Sequence, residues 1–161
     1  MKLAALAALT LLTAGSAVAE ELPQRKPGLW ESKSTGTDGE TVAKQCVGPG
    51  TDQALVGGMA GGACSKVLIT RTAAGYAVET ECAIGQIKAA GSSVITGDFQ
   101  TIVRTEGTTK LTGMPGQPGT MERKLLVEAK RLGECGPGQK PGDIILPDGK
   151  VISMPTAKPR Q

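Results

Sequence analysis

The chain has 161 residues, no histidine, one Trp, one Tyr and one Phe, against 23 Gly, 10 Pro and a formal net charge of +3. Composition excludes nucleophilic catalysis of the usual Ser-His-Asp or Cys-His kind, and the small, scattered excess of base argues against nucleic acid or an anionic membrane surface as a partner. A core must come from Val, Ile, Leu, Ala and Met, in a chain whose turn formers favour short strands over long helices.

Residues 1–19 read as a cleavable signal peptide. Lys2 supplies the positive start, residues 3–14 are an uncharged apolar run, and Ala17-Val18-Ala19 is a cleavage pattern followed by Glu20-Glu21. The run is too short to span a membrane, and no cysteine follows it to carry a lipid. The expected product is a soluble periplasmic protein, neither membrane-spanning nor lipid-anchored. Removing the segment takes away Lys2 alone, so 18 Lys+Arg become 17 against 15 Asp+Glu.

Residues 20–28 form a polar, Pro-containing lead-in, expected to be loose. Leu29–Ser32 opens the first strand, residues 35–40 make a turn, and Thr41–Cys46 returns as the second strand of a hairpin. Residues 48–63 are Gly-rich, with room for one helical turn around Asp52–Val56. Ser65–Thr72 and Tyr76–Cys82 are the clearest strands, joined at Ala73-Ala74-Gly75, with Glu79 and Glu81 on one face and Val78, Thr80 and Cys82 on the other. Residues 84–89, 93–96 and 98–106 read as further strands, with 109–111 pairing back across Gly107. Met121–Leu132 fits a helix face (Met121, Leu125, Ala129, Leu132) and a strand face (Leu125, Val127, Ala129) equally. Residues 144–146 and 150–152 flank a P-D-G turn. Residues 155–161 are expected to be a disordered tail, leaving one domain over 29–154.

The four cysteines, Cys46, Cys64, Cys82 and Cys135, read as two disulfides in an exported chain. Zinc is disfavoured because there is no close cysteine pair and no histidine. A turn centred on Ala73 pairs residues whose numbers sum to 146. It sets Cys64 opposite Cys82, Leu68 opposite Val78 and Thr70 opposite Tyr76. That geometry favours Cys64–Cys82 with Cys46–Cys135. The alternative is Cys46–Cys64 with Cys82–Cys135.

No catalytic residue, metal ligand or cofactor site is expected. Ser65 and Lys66 are adjacent on a strand and point apart. Glu79 and Glu81 fit a solvated strand face better than a glycosidase pair. The run of glycines at 57–62 lacks the Lys of a phosphate-binding loop. Trp30 reads first as a core anchor, with the wall of a small apolar ligand pocket as its functional alternative.

Several landmarks also stand in a telling order: Lys26-Pro27-Gly28-Leu29-Trp30-Glu31, then Cys46, Cys64 and Cys82, then Gly97-Asp98-Phe99, and last Arg131-Leu132-Gly133-Glu134-Cys135. In these the chain resembles the bacterial exported family of domain of unknown function 3617, over residues 26 to 135. The resemblance implies a periplasmic domain with paired cysteines. It also implies a strand at 121–132 leading into R-L-G-x-C. It supplies no activity, ligand or catalytic residue. The Gly-rich stretch between Cys46 and Cys64 departs from the more helical segment expected there. The fold expected is mainly β: a single antiparallel sheet or sandwich with at most one short helix, stapled by disulfides. The function expected is a non-catalytic module binding a small apolar ligand or a partner protein. The alternative is a structural or stress-related envelope protein acting by association with itself or the cell wall.

Overall fold

Runs of β-formers that stand apart in the sequence join into long strands. The computed structural model describes residues 20–54, 63–154 and 156. The expected signal peptide lies outside the described residues, as do positions 55–62 of the Gly-rich segment and all of the expected tail but Thr156. The strands are β1 (Gly28–Gly36), β2 (Gly39–Val47), β3 (Cys64–Thr72), β4 (Gly75–Ile84), β5 (Ile87–Gly97), β6 (Ile102–Thr112), β7 (Met121–Gly133), β8 (Asp143–Ile145) and β9 (Val151–Ser153). They form one open antiparallel sheet in the order β3-β4-β5-β6-β7-β1-β2-β8-β9. Residues 51–54 make a single helical turn, the described part of the expected short helix.

Three expectations change. Residues 84–89 and 93–96 are not two strands, because the turn falls at Gly85-Gln86 and β5 runs unbroken from Ile87 to Gly97. The small residues inside it are needed there: a Cβ on Gly91 would lie 2.7 Å from the Thr80 hydroxyl. Gly107 is likewise no turn. It sits inside β6, opposite Ser93 on one side and Leu125 on the other. Met121–Gly133, which periodicity leaves open, is the strand that the resemblance implies, with Leu125, Val127 and Ala129 on one face. The β3–β4 hairpin turns on two residues rather than three. Thr72 pairs with Gly75, so Leu68 faces Glu79 and Thr70 faces Ala77, not Val78 and Tyr76. A β-bulge between Cys64 and Lys66 then absorbs one residue and brings Cys64 back opposite Cys82.

The structure joins Cys64 to Cys82 and Cys46 to Cys135. Following the register from strand to strand puts Ile69, Tyr76, Val78, Ile95, Val103, Ala129, Trp30 and Val47 on one face of the sheet. These residues, with Phe99 from the β5–β6 turn and Leu22 from the lead-in, form the core. All lie toward the end of the sheet where β1 begins and β7 finishes. The opposite face carries exposed ion pairs, among them Lys33–Glu40 at 2.8 Å, Lys66–Glu79 at 2.7 Å and Arg104–Glu128 at 3.0 Å. This is the apolar/polar alternation of an antiparallel sheet with one wet face.

Candidate functional site

The lead-in is an ordered strap, not a loose arm. It enters at the β3 edge, where the Glu20 carboxylate accepts the Arg71 backbone N–H at 3.1 Å. It leaves at β1, where the Arg25 guanidinium lies 5.4 Å from the Trp30 ring and donates to Asp52 Oδ1 at 2.7 Å and to Gln45 Oε1 at 2.9 Å. Between these ends Leu22 packs on the core. The polar residues of this segment thus serve to hold down one leucine and one tryptophan.

The Gly97-Asp98-Phe99 turn closes the same end. Asp98 accepts the backbone N–H groups of Gln100, Thr101 and Ile102 and the Thr101 hydroxyl. Phe99 adopts a left-handed φ of 58°, which turns its ring into the core, edge-on to Tyr76 at a centroid distance of 6.0 Å. Its carbonyl accepts the Lys26 N–H at 2.8 Å. At the end of β7, Arg131 donates twice to the Pro27 carbonyl, at 2.8 and 2.9 Å, and pairs with Glu134. Gly28 carries φ 138°, and a Cβ there would strike the Gly133 carbonyl at 2.2 Å. The three landmark motifs of the sequence therefore meet in space, and their residues fasten strap, turn and last long strand to one another.

Two predictions arise from this clasp. Removing the Asp52 carboxylate with Asp52→Ala leaves the Arg25 guanidinium, 11% exposed, without its counter-charge and with Gln45 as its remaining acceptor. The expected loss is about 1–3 kcal/mol, whereas Glu40→Ala, in an exposed pair, should cost under about 0.5 kcal/mol. Urea midpoints of the two variants measure the contrast. The second concerns acid. The N–H of Ile102, then the Thr101 hydroxyl and the N–H groups of Thr101 and Gln100, hold the Asp98 carboxyl well below the usual carboxylate range. A carboxyl depressed in the folded chain adds stability above its unfolded value near 4 and loses it as pH falls through the folded value. Stability should fall on acidification from about pH 5, and less steeply in Asp98→Asn. Urea unfolding across a pH series measures both slopes.

A separate trough of about 990 Å³ crosses β4, β5, β6, β7 and β1. Register identifies its face. Ala77, Val94, Glu106, Leu126 and Thr35 are cross-strand partners in one row, and Glu79, Ser92, Thr108 and Lys124 in the next. Both rows point away from the core. Between them the backbone of Val78, Ser93, Gly107, Leu125 and Gly36 makes the floor. Trp30 belongs to the other face, is fully buried, and donates its indole N–H to the Lys26 carbonyl at 2.8 Å. Its place in the core fits an anchor, and it is not among the residues lining the trough.

The remaining candidates separate. Glu79 and Glu81 lie 2.7 and 3.8 Å from the Lys66 ammonium. The hydrogen bond and charge of Glu79, then the charge of Glu81, raise the Lys66 pKa. Ser65, at the bulge, donates its hydroxyl to the Glu81 carbonyl at 3.4 Å. Among the described residues, no group of three His, Cys, Asp or Glu side chains is placed to hold a metal ion, no buried side-chain N or O lacks a hydrogen-bond partner, and no helix is long and apolar enough to cross a membrane. Sequence reasoning missed Arg25, and it gave Asp52 and Arg131 only as part of a helical turn and of a landmark, because the contacts they make span 27 and 104 residues. Asp98 carried a local signal, since Asp followed three residues later by Thr is a turn-forming pattern.

One family model matches, over residues 25–135, and its description is "Protein of unknown function" (DUF3617). No curated protein and no solved structure matches the chain.

Proposed function

Starting from the fact that the chain belongs to the DUF3617 family, we propose that it is an exported, non-catalytic module of the periplasm that binds a partner protein through the trough. The observation that carries this reading is the make-up of the trough walls. Val94, Leu126 and Ala77 supply apolar surface, while Glu79, Glu106 and Lys124 stand beside them, and the whole lies across five strands. A small apolar ligand needs a concave site that removes most of its surface from water. A trough open to solvent, with charges along both walls, matches a polypeptide segment with alternating apolar and polar side chains. The paired cysteines and the A-x-A pattern before Glu20 support export.

The test is photo-crosslinking in cells, with a crosslinking amino acid at Val94 on the trough wall and, for comparison, at Ile152 on β9. The expected result is one discrete heavier adduct from position 94, lost when Leu126→Lys is added and absent from position 152. Equal, diffuse adducts at both positions overturn the reading. Native mass spectrometry of protein purified without reductant checks the small-ligand form. A discrete low-mass guest, released on activation, would replace the partner reading with that one.

A further inference from the structure

Among the described residues, the β3 edge has an unpaired middle and two guarded ends. β3 begins the strand order and pairs with β4 alone. The two-residue turn makes Thr72 and Gly75 a hydrogen-bonded pair. Thr70, Leu68 and Lys66 then bond inward to β4, while Val67, Ile69 and Arg71 turn their N–H and C=O groups outward. The bond from the Arg71 N–H to Glu20 runs in that outward direction. Among the described residues, none takes the outward groups of Val67 and Ile69. At the other end the bulge at Ser65 and the Lys66 ammonium break the edge, both ordinary devices against indiscriminate pairing.

What stays open is self-complementary. A two-fold axis through Leu68 overlays the open stretch, Lys66 to Thr70, on a second β3 running antiparallel. Val67 then exchanges both backbone hydrogen bonds with the second copy's Ile69, and Ile69 with its Val67. Leu68, 38% exposed, meets its own counterpart in the close, non-hydrogen-bonded position. Lys66 faces Thr70, and the two Lys66 ammoniums stand on opposite sides of the axis, about 13 Å apart along the strands. Each keeps its own Glu79. Moving the axis to Val67 brings the two lysines to about 7 Å and sets each beside a leucine. Moving it to Ile69 shortens the overlap.

We infer that the protein pairs with a second copy of itself along β3, antiparallel about a two-fold axis at Leu68, so that two sheets become one. The opposite edge, β9, is three residues long, so the pairing closes as a dimer and does not continue as a filament. The inference uses no residue of the trough walls except Glu79, which keeps its own Lys66, and stands or falls apart from the proposed partner.

The test uses the full chain with both disulfides formed. Sedimentation equilibrium should give the dimer mass for the wild type. It should give the monomer mass for Val67→Pro, which deletes one outward N–H that no described residue takes. Leu68→Cys should form an intermolecular bridge in air between the introduced thiols of the two copies, identified by peptide mass. Thr70→Cys should not, since its counterpart lies too far away for a disulfide. A wild type that sediments as a monomer throughout, or equal bridging by the two cysteine variants, overturns the inference. The bridging comparison decides the matter even if Val67→Pro fails to fold.

Discussion

Replacing Cys46 and Cys135 together by alanine is expected to lower the unfolding free energy by about 4–5 kcal/mol, against about 3 kcal/mol for Cys64 and Cys82. The difference arises from the length of chain each bridge encloses. Cys46–Cys135 spans a separation of 89 residues and ties the end of β2 to the segment after β7, whereas Cys64–Cys82 spans 18 within one hairpin. The longer loop is the one whose freedom in the unfolded chain is cut most. Cys46 is also 1% exposed, so its removal leaves a packing defect in addition. A single domain holds about 5–15 kcal/mol in all, so the loss of the long bridge should leave a partly unfolded population at 37 °C. Guanidinium unfolding of the two double variants measures the order of the effects. Equal midpoints would show that loop length is not what sets them.

The second large effect is at Trp30. Trp30→Ala should cost about 3–5 kcal/mol, because the ring is fully buried between the strap and the core. Trp30→Phe separates two contributions. It keeps most of the ring but deprives the Lys26 carbonyl of its donor, with an expected cost of about 1–2 kcal/mol plus that of the smaller ring. Denaturant midpoints followed by circular dichroism give both values. In the wild type, iodide should leave Trp30 fluorescence unquenched until the chain unfolds. Quenching in the folded protein would place the ring at the surface and remove the basis for the large effect.

The strands are legible in the sequence wherever residues alternate cleanly, as in Tyr76–Cys82, because period two records which side faces water. Legibility fails where small residues stand in for turns. Gly91 and Gly107 look like breaks in the sequence, yet they lie in mid-strand, where neighbouring side chains and backbone leave no room for a Cβ. The expected register of the β3–β4 hairpin is off by one residue, and the Ser65 bulge restores the cysteine pair that this register suggests. For Met121–Leu132, periodicity alone leaves helix and strand level. The family landmarks lean toward the strand, because R-L-G-x-C at its end calls for one. The strap cannot be read at all. Its order depends on Arg25 meeting Asp52 and on Arg131 meeting Pro27, contacts between distant positions that no local pattern encodes. The trough is equally hidden, since it is a property of two rows that exist only once five strands are in register.

The strand order also sets a schedule. Strands β3 to β7 are each neighbours of the next in sequence, so each can add to the one before it by closing a short loop. The β1–β2 hairpin is different, because its only long-strand neighbour besides itself is β7, and Trp30 pairs with Arg131 about one hundred residues later. Closing a loop of that length costs more chain entropy than any hairpin turn in the sheet, so this pairing comes late in folding. The first hairpin of the chain is thus among the last to be docked, and until then Trp30 has no second wall to lie against. The protein should therefore depend on being kept unaggregated during that interval, and a lesion in β7 should trap a species in which β3 to β6 are paired while the tryptophan is still in water.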